Sequence, residues 1–554
     1  MTTFKFKTPF AESIFDQKYK HDNCNTWPNL ARVLVDDVCG TRELCAKPTS
    51  DPLMSKEDRD QLTEYITDMK FIPAGRYLYY AGRPISFFNN CFALKAEEDT
   101  REEWGNIVKR ASDCLMSGGG IGVDYSVLRP SGRVLSRTGG ISSGPLPLMS
   151  SVNEVGRNVM QGGSRRSAIY ASLNWQHEDI EQFLSAKNWS DTIKKLKAED
   201  FNFPAPFDMT NMSINWDTDF IRRVEVEGVD TQVPQLWYDS VRRMCETGEP
   251  GHSYNFYEHE RETLRNACCE FTSEDDSDVC NLGSINLGNI TSIDELRDVV
   301  NLASKFLVCG SIRGDLPYEK VKLTREKNRS IGLGLMGVHE WLLQRGKPYA
   351  VCEELSLWLQ VYKTESECGA NEWSDRFFIN RPKKYRAVAP AGSIGILAST
   401  STGIEPLFAV AYKRRYLQGG TKWKYQYVID ATAQRIINTY EVDPNTIETS
   451  SNLTTRVEDR IKFQYEVQKH VDMAISSTIN LPEWGSEFNN DNTSTELANT
   501  LLKYMHGLRG ITVYPNGSRG GQPLTEVPYT EAKHHVGVVY DETEERCVNG
   551  VCGV

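Results

Sequence analysis

The stretch Asn266-Ala267-Cys268-Cys269-Glu270, followed by Cys280 in Val279-Cys280-Asn281-Leu282-Gly283, sets the strongest condition on the fold. An amide, a thiol and a carboxylate at alternate positions can act on one substrate only if the chain encloses them. In an extended segment alternate side chains leave the same face. The spacing therefore predicts that Asn266, Cys268 and Glu270 enter one pocket, while Cys269 turns away into packing. Read alone, the stretch fits a buried cysteine in a polar loop equally well. The chain is long enough to build an enclosure, since 554 residues, 39% hydrophobic and 25% charged, describe a large globular protein.

A formal net charge of −12 argues against a general nucleic-acid or membrane-surface binder, but not against a local basic pocket for a small anion. Apolar runs fall well short of a bilayer span, and Met1-Thr2-Thr3-Phe4-Lys5 lacks the apolar centre of a signal peptide. The expectation is a soluble cytoplasmic protein. The 14 cysteines are scattered rather than grouped as a small disulfide framework, which favours reduced or catalytic thiols.

Residues 1–70 read as helical, with a first helix at Thr8–Phe15 and Pro9 near its start. Phe71–Leu78 and Asn90–Leu94 read as short strands. Glycines cluster at Gly118-Gly119-Gly120-Ile121-Gly122, where a backbone can approach a ligand closely, although tight turns have the same composition. A helix is predicted at Leu148–Met160, then a polar loop, Gln161-Gly162-Gly163-Ser164-Arg165-Arg166-Ser167-Ala168, whose arginines suit phosphate or base recognition or a solvated turn. Strand-like and helix-like stretches alternate from about 170 to 265, including Asp208–Asn215 and the amphipathic Gln235–Cys245. The small residues of Asn328–Gly337 suggest a close approach to another element. Val388–Gly395 reads as a strand, a small-residue turn and a helix start, and Gly510–Tyr514 as another strand. The tail ends with Cys547 and Cys552, which suit a redox shuttle. A zinc pair is the rival there, but no second pair with ligand spacing accompanies it, and no metal site is assigned.

Together these segments resemble the large, catalytic chains of ribonucleotide reductases from about residue 10 to the end. Cys91 in Asn89-Asn90-Cys91, the 161–168 loop, Asn-x-Cys-x-Glu at 266–270, Cys280 before Asn281-Leu282, and the tail pair occur in the family's order. The resemblance implies an α/β fold: a ten-stranded α/β barrel over 71–525 with a central finger loop, preceded by the helical region 1–70 and followed by a flexible tail, 526–554. It implies that Cys268 becomes a thiyl radical and takes the 3′ hydrogen of a ribonucleoside di- or triphosphate. Glu270 would deprotonate the 3′ hydroxyl and Asn266 would hold the substrate hydroxyls. Cys91 and Cys280 would supply the reducing equivalents. Cys547 and Cys552 would then reduce that pair and be reduced by a thioredoxin-like protein. Asn90, Gly119, Gly120, Gly122, Ala391, Gly392, Ser393 and Ile394 would contact substrate, the last four at its phosphates. Asp99, Arg129, Gly163, Ser164, Arg165 and Arg166 would form an effector site for a deoxynucleotide or ATP. A monomer or homodimer is compatible with this, with no direct role for nucleic acid or membrane.

Oxygen-dependent relatives use a separate radical-generating subunit and two consecutive tyrosines near the C-terminal strand. Here the corresponding place reads Thr512-Val513-Tyr514, and the pair Tyr79-Tyr80 lies in another region. Gly510–Arg519 is more similar to the adenosylcobalamin-dependent members, so adenosylcobalamin is the expected cofactor and the oxygen-dependent large subunit is the alternative. The tail carries cysteines rather than a glycyl-radical motif.

Overall fold

The computed structural model describes residues 4–44, 48–89, 91–135, 139–159, 167–200, 203–227, 233–418, 422–518 and 524–541. The N-terminal region forms helices Pro9–Lys18, Trp27–Cys39 and Lys56–Thr67. Thr8, Thr26 and Ser55 cap them, each accepting from an amide of the first turn that has no helical partner. These helices do not form a separate core. Trp27, Leu34 and Leu62 share one buried cluster with Leu307 and Leu359, which lie on the long helices Ile293–Arg313 and Glu353–Arg376. Apolar packing therefore runs across the 70/71 boundary.

The expected strand at 71–78 is shorter. Only Phe71–Pro73 joins the sheet, and Gly75–Tyr80 is a short helix. Proline has no amide with which to extend the ladder, and beyond it the amides of Tyr77 and Leu78 turn back to the Ala74 carbonyl. The helix expected at 148–160 spans Leu146–Asn158, and the patterns at 208–215 and 235–245 become strand Thr210–Asp217 and helix Gln235–Thr247.

Ten strands form one sheet among the described residues. Cys91–Lys95, Gly120–Asp124, Ile169–Asn174, Thr210–Asp217 and Gly251–Asn255 run parallel in sequence order. Asp278–Asn286 runs antiparallel to Cys91–Lys95 and to Phe71–Pro73 and parallel to Ile331–Met336. At the other end Gly510–Pro515 is antiparallel to Gly251–Asn255 and parallel to Thr478–Leu481. Isolated bridges link Leu333 to Arg386 and Val388 to Ile475, just before the strand Thr478–Leu481. The close approach foreseen at 328–337 is present: a Cβ on Gly332 would lie 2.3 Å from Leu282 Cδ2.

Between Gly251–Asn255 and Asp278–Asn286 the chain leaves the sheet as a finger. Leu264–Arg265 pairs antiparallel with Thr272–Ser273, leaving residues 266–271 at the tip. Leu264 and Phe271 pack with Cys91, Ala93, Leu282 and Met473. Gly122 lets the finger lie against the sheet, since a Cβ there would stand 1.8 Å from the Arg265 carbonyl oxygen. Arg265, itself buried, ties the finger's base by donating to Asn255 Oδ1 at 2.7 Å and to the Arg509 carbonyl at 3.1 Å.

A second, four-stranded sheet contains the hairpin Ala411–Gln418 and Lys422–Ile429, with Leu524–Glu526 on one edge and Val539–Asp541 on the other. The expected 526–554 tail therefore begins inside a strand and continues as helix Tyr529–His535 and strand Val539–Asp541. Backbone pairing to the hairpin, invisible in the tail's polar composition, accounts for this. Among the described residues no helix is long and apolar enough to cross a membrane.

Candidate active site

The finger tip is a turn rather than an extended segment. The Cys269 amide donates to the Asn266 carbonyl at 3.0 Å, and Cys269 has φ of 66°, in the left-handed region. Asn266, Cys268 and Glu270 nevertheless line one cavity, of about 170 Å³. Turn geometry gathers them, not the two-residue period of a strand. Cys268 also lines a second cavity, of about 240 Å³, together with Cys269. Cys269 is thus a half-exposed lining residue, where the strand alternation predicted packing. Desolvation, with the neighbouring Glu270 charge, raises its thiol pKa to about 12.

Asn266 is held from both ends. Its Oδ1 accepts from the Phe271 amide at 3.0 Å, and its Nδ2 donates to Cys91 Sγ at 2.8 Å. The Cys91 thiol in turn donates to Glu270 Oε1 at 3.4 Å, while the other carboxylate oxygen, Oε2, is buried and accepts no hydrogen bond among the described residues. Burial raises the Glu270 pKa above the ordinary carboxylate value, opposed by hydrogen bonds from Asn266 and Cys91. Burial, reinforced by the neighbouring Glu270 charge, raises Cys91 well above a free thiol, and burial raises Cys280 likewise. Both sulfurs are therefore protonated at neutral pH, the state that can give up hydrogen or a proton. Cys91 and Cys280 face each other in the antiparallel ladder.

The other side of the first cavity is formed by Ala391, Gly392, Ser393 and Ile394. Ala391 takes the left-handed conformation, φ 54°, immediately before helix Gly392–Ala398. Apart from its chain neighbours and its own helix backbone, no described residue has an atom within 4 Å of the place a Cβ would occupy on Gly392. Of the predicted glycines, Gly120 lines this cavity and Gly119 and Gly122 do not. Gly122 serves the finger packing instead, because the Arg265 backbone fills the space above it. Asp99 and Arg129 form an ion pair with each other. Asn90, Gly163, Ser164, Arg165, Arg166, Cys547 and Cys552 lie outside the described residues.

Gly118, the first residue of the glycine cluster, also lines the cavity, as do Tyr19 and Arg76, which were not singled out from the sequence. Tyr19 and Arg76 carry no local signal, since only folding brings the end of the first helix and the turn after Pro73 to this place.

The site thus brings together a finger-borne thiol, a carboxylate and one member of a facing pair of thiols. The family described as "Ribonucleotide reductase, barrel domain" matches residues 89–229, 218–364 and 381–514. The chain belongs to that family. It is 26% identical over 540 residues to a vitamin B12-dependent ribonucleoside-diphosphate reductase of Mycobacterium tuberculosis, covering 87% of this chain and 75% of the relative. A putative adenosylcobalamin-dependent ribonucleoside-triphosphate reductase of Mycobacterium phage D29 is 25% identical over 516 residues, covering 78% and 71%. The ribonucleoside-diphosphate reductase large subunit of Danio rerio is 27% identical over 355 residues, covering 55% and 44%.

Proposed function

We propose that this chain reduces ribonucleotides to 2′-deoxyribonucleotides, with adenosylcobalamin as the source of the initiating radical. One observation carries the reading: Cys268 lines two cavities, one shared with Glu270, Asn266 and Cys91, the other with Cys269, Glu249, His252 and Arg509. The vitamin B12-dependent relatives align over far more of the chain than the large-subunit relatives do.

In this reading the ribose occupies the first cavity. Cys268, as a thiyl radical, removes the 3′ hydrogen, and the Glu270 carboxylate takes the 3′ hydroxyl proton. Cys91, the member of the facing pair that lines the cavity, protonates the 2′ hydroxyl, which leaves as water. The two thiols together deliver two electrons and, with the second thiol proton going to C2′, become one disulfide; Glu270 returns its proton to the 3′ oxygen and Cys268 returns its hydrogen to C3′, restoring the thiyl radical. The balance is one ribonucleotide and one dithiol giving one deoxynucleotide, one disulfide and water. Asn266 keeps Cys91 and the tip in register, and both Asn266 and Glu270 are buried.

The second cavity would hold the cofactor's reactive group. Tyr170, Ser477, Arg509, Thr512 and Tyr514 line it beside Cys268, giving apolar surface and several polar groups. When bound, adenosylcobalamin would supply the radical chemistry that oxidises the Cys268 thiol. The tail cysteines as internal reductant, a thioredoxin-like external reductant and a nucleotide effector near Asp99 and Arg129 belong to the same proposal.

The test is anaerobic turnover of CDP and of CTP by the full chain with adenosylcobalamin and a dithiol, beside a Cys268→Ala chain. Deoxynucleotide from the wild type alone supports the reading. No product from either substrate across matched effectors would overturn the cobalamin route and point to a partner subunit.

A further inference from the structure

Among the described residues that line the first cavity, Arg76 is the only cation and Glu270 the only carboxylate. A nucleoside diphosphate brings roughly three negative charges near neutral pH. Arg76 is already engaged, donating to the Ser117 carbonyl and lying over the Tyr80 ring at 5.0 Å.

A second cation stands at the rim. Helix Pro9–Lys18 lies against Gly392–Ala398 and is tied to it near both ends. Thr8 Oγ1 and Ser399 Oγ are 3.2 Å apart, and Lys18 Nζ donates to Ser393 Oγ at 2.9 Å. The two helices are therefore antiparallel, and the residue after Lys18, Tyr19, lines the cavity beside Ser393. Lys18 itself is exposed, with an ammonium on a flexible stem and three donors.

We propose that Lys18 is a specificity-determining residue of the substrate site: its ammonium, held at Ser393, pairs with the terminal phosphate and selects nucleotides by phosphate number. This inference rests on the functional reading above, which places substrate phosphates at residues 391–394. The N-terminal helix thereby contributes to recognition as well as to the core.

The experiment measures equilibrium binding of CDP, CMP and cytidine to the full chain, with steady-state turnover of CDP in parallel. For Lys18→Gln the expected result is CDP binding weakened about tenfold, equivalent to ~1.4 kcal/mol, with CMP weakened less, cytidine unchanged and kcat within about twofold. Lys18→Arg should retain most of the CDP affinity, and the wild-type advantage should shrink with added salt. Thr8→Val, which releases the other end of the helix, should not discriminate by phosphate number. Unchanged CDP binding, an equal loss for cytidine, or a Thr8→Val chain with the same phosphate-dependent defect would overturn the inference. Should Lys18→Gln melt early, Lys18→Met, which keeps the stem, is read by the same criteria. A wild type that binds CDP but yields no deoxynucleotide would sink the functional reading, whereas normal turnover with unchanged affinity in the variants would sink the Lys18 assignment alone.

Discussion

Cys91 and Cys280 should be oxidised to one another by a single turnover. Their positions are directly opposed in an antiparallel pair. Opposed Cα atoms in such ladders stand about 4.5–5.5 Å apart, inside the ~4.4–6.8 Å that a disulfide spans. The bond can therefore form by side-chain rotation with little backbone movement. Each disulfide carries two electrons, so stoichiometry reports how many pairs take part. A fully reduced, desalted chain given CDP and adenosylcobalamin without external dithiol should make about two deoxynucleotides, one from Cys91 and Cys280 and one after exchange with Cys547 and Cys552. The Cys547→Ser/Cys552→Ser chain should stop at about one. Cys91→Ser or Cys280→Ser chains should form no catalytic disulfide and no full complement of product. Product is counted by chromatography, and the cysteines are located by alkylation before and after turnover followed by peptide mass spectrometry. The half-exposed Cys269 beside Cys268 makes the mapping decisive. If turnover linked Cys268 to Cys269 and left Cys91 and Cys280 as thiols, the reducing role drawn from the ladder would be refuted.

Glu270→Gln should lower kcat by about 10²–10⁴-fold, the usual span for losing a positioned base. Burial raises Glu270, and only its ionised form accepts a proton. The wild-type acid limb of kcat/KM should therefore lie above the ordinary carboxylate range and vanish in the variant; a retained limb would exclude Glu270 as its source. The raised pKa also means that the folded chain holds this proton more tightly than the unfolded chain. Its contribution to stability falls as pH rises from the ordinary value through the folded one, and melting temperatures of Glu270→Gln should lack that decline. Gly122→Ala places a Cβ 1.8 Å from the Arg265 carbonyl oxygen, a backbone atom that cannot rotate aside. It should cost about 1–3 kcal/mol or more in denaturant midpoint analysis and lower turnover by shifting the finger. The control, Gly105→Ala, sits in a helix with nothing near the new Cβ and should be stabilising by up to about 1 kcal/mol.

That Asn266, Cys268 and Glu270 share one cavity was legible in their close spacing, whereas Cys91, 175 residues from Asn266, joined them only through the resemblance. Helices such as Gln235–Thr247 follow from an apolar stripe at helical period. The small residues before Gly337 announced a close approach because only side-chain loss permits one. The turn at Cys269 was not readable, because a five-residue polar stretch has no periodicity strong enough to separate a strand from a turn, and the Cys269 amide bond to Asn266 decides it. Gly122 looked like its neighbour Gly120, yet one faces the substrate-side cavity and the other the Arg265 backbone. Adjacent-but-one residues of a strand share a face, and only the path of the finger distinguishes them. Lys18, Tyr19 and Arg76 reach the site through contacts hundreds of residues apart in sequence, such as Lys18 to Ser393. No pattern along the chain encodes such a meeting; it is set by how the helices pack around the sheet.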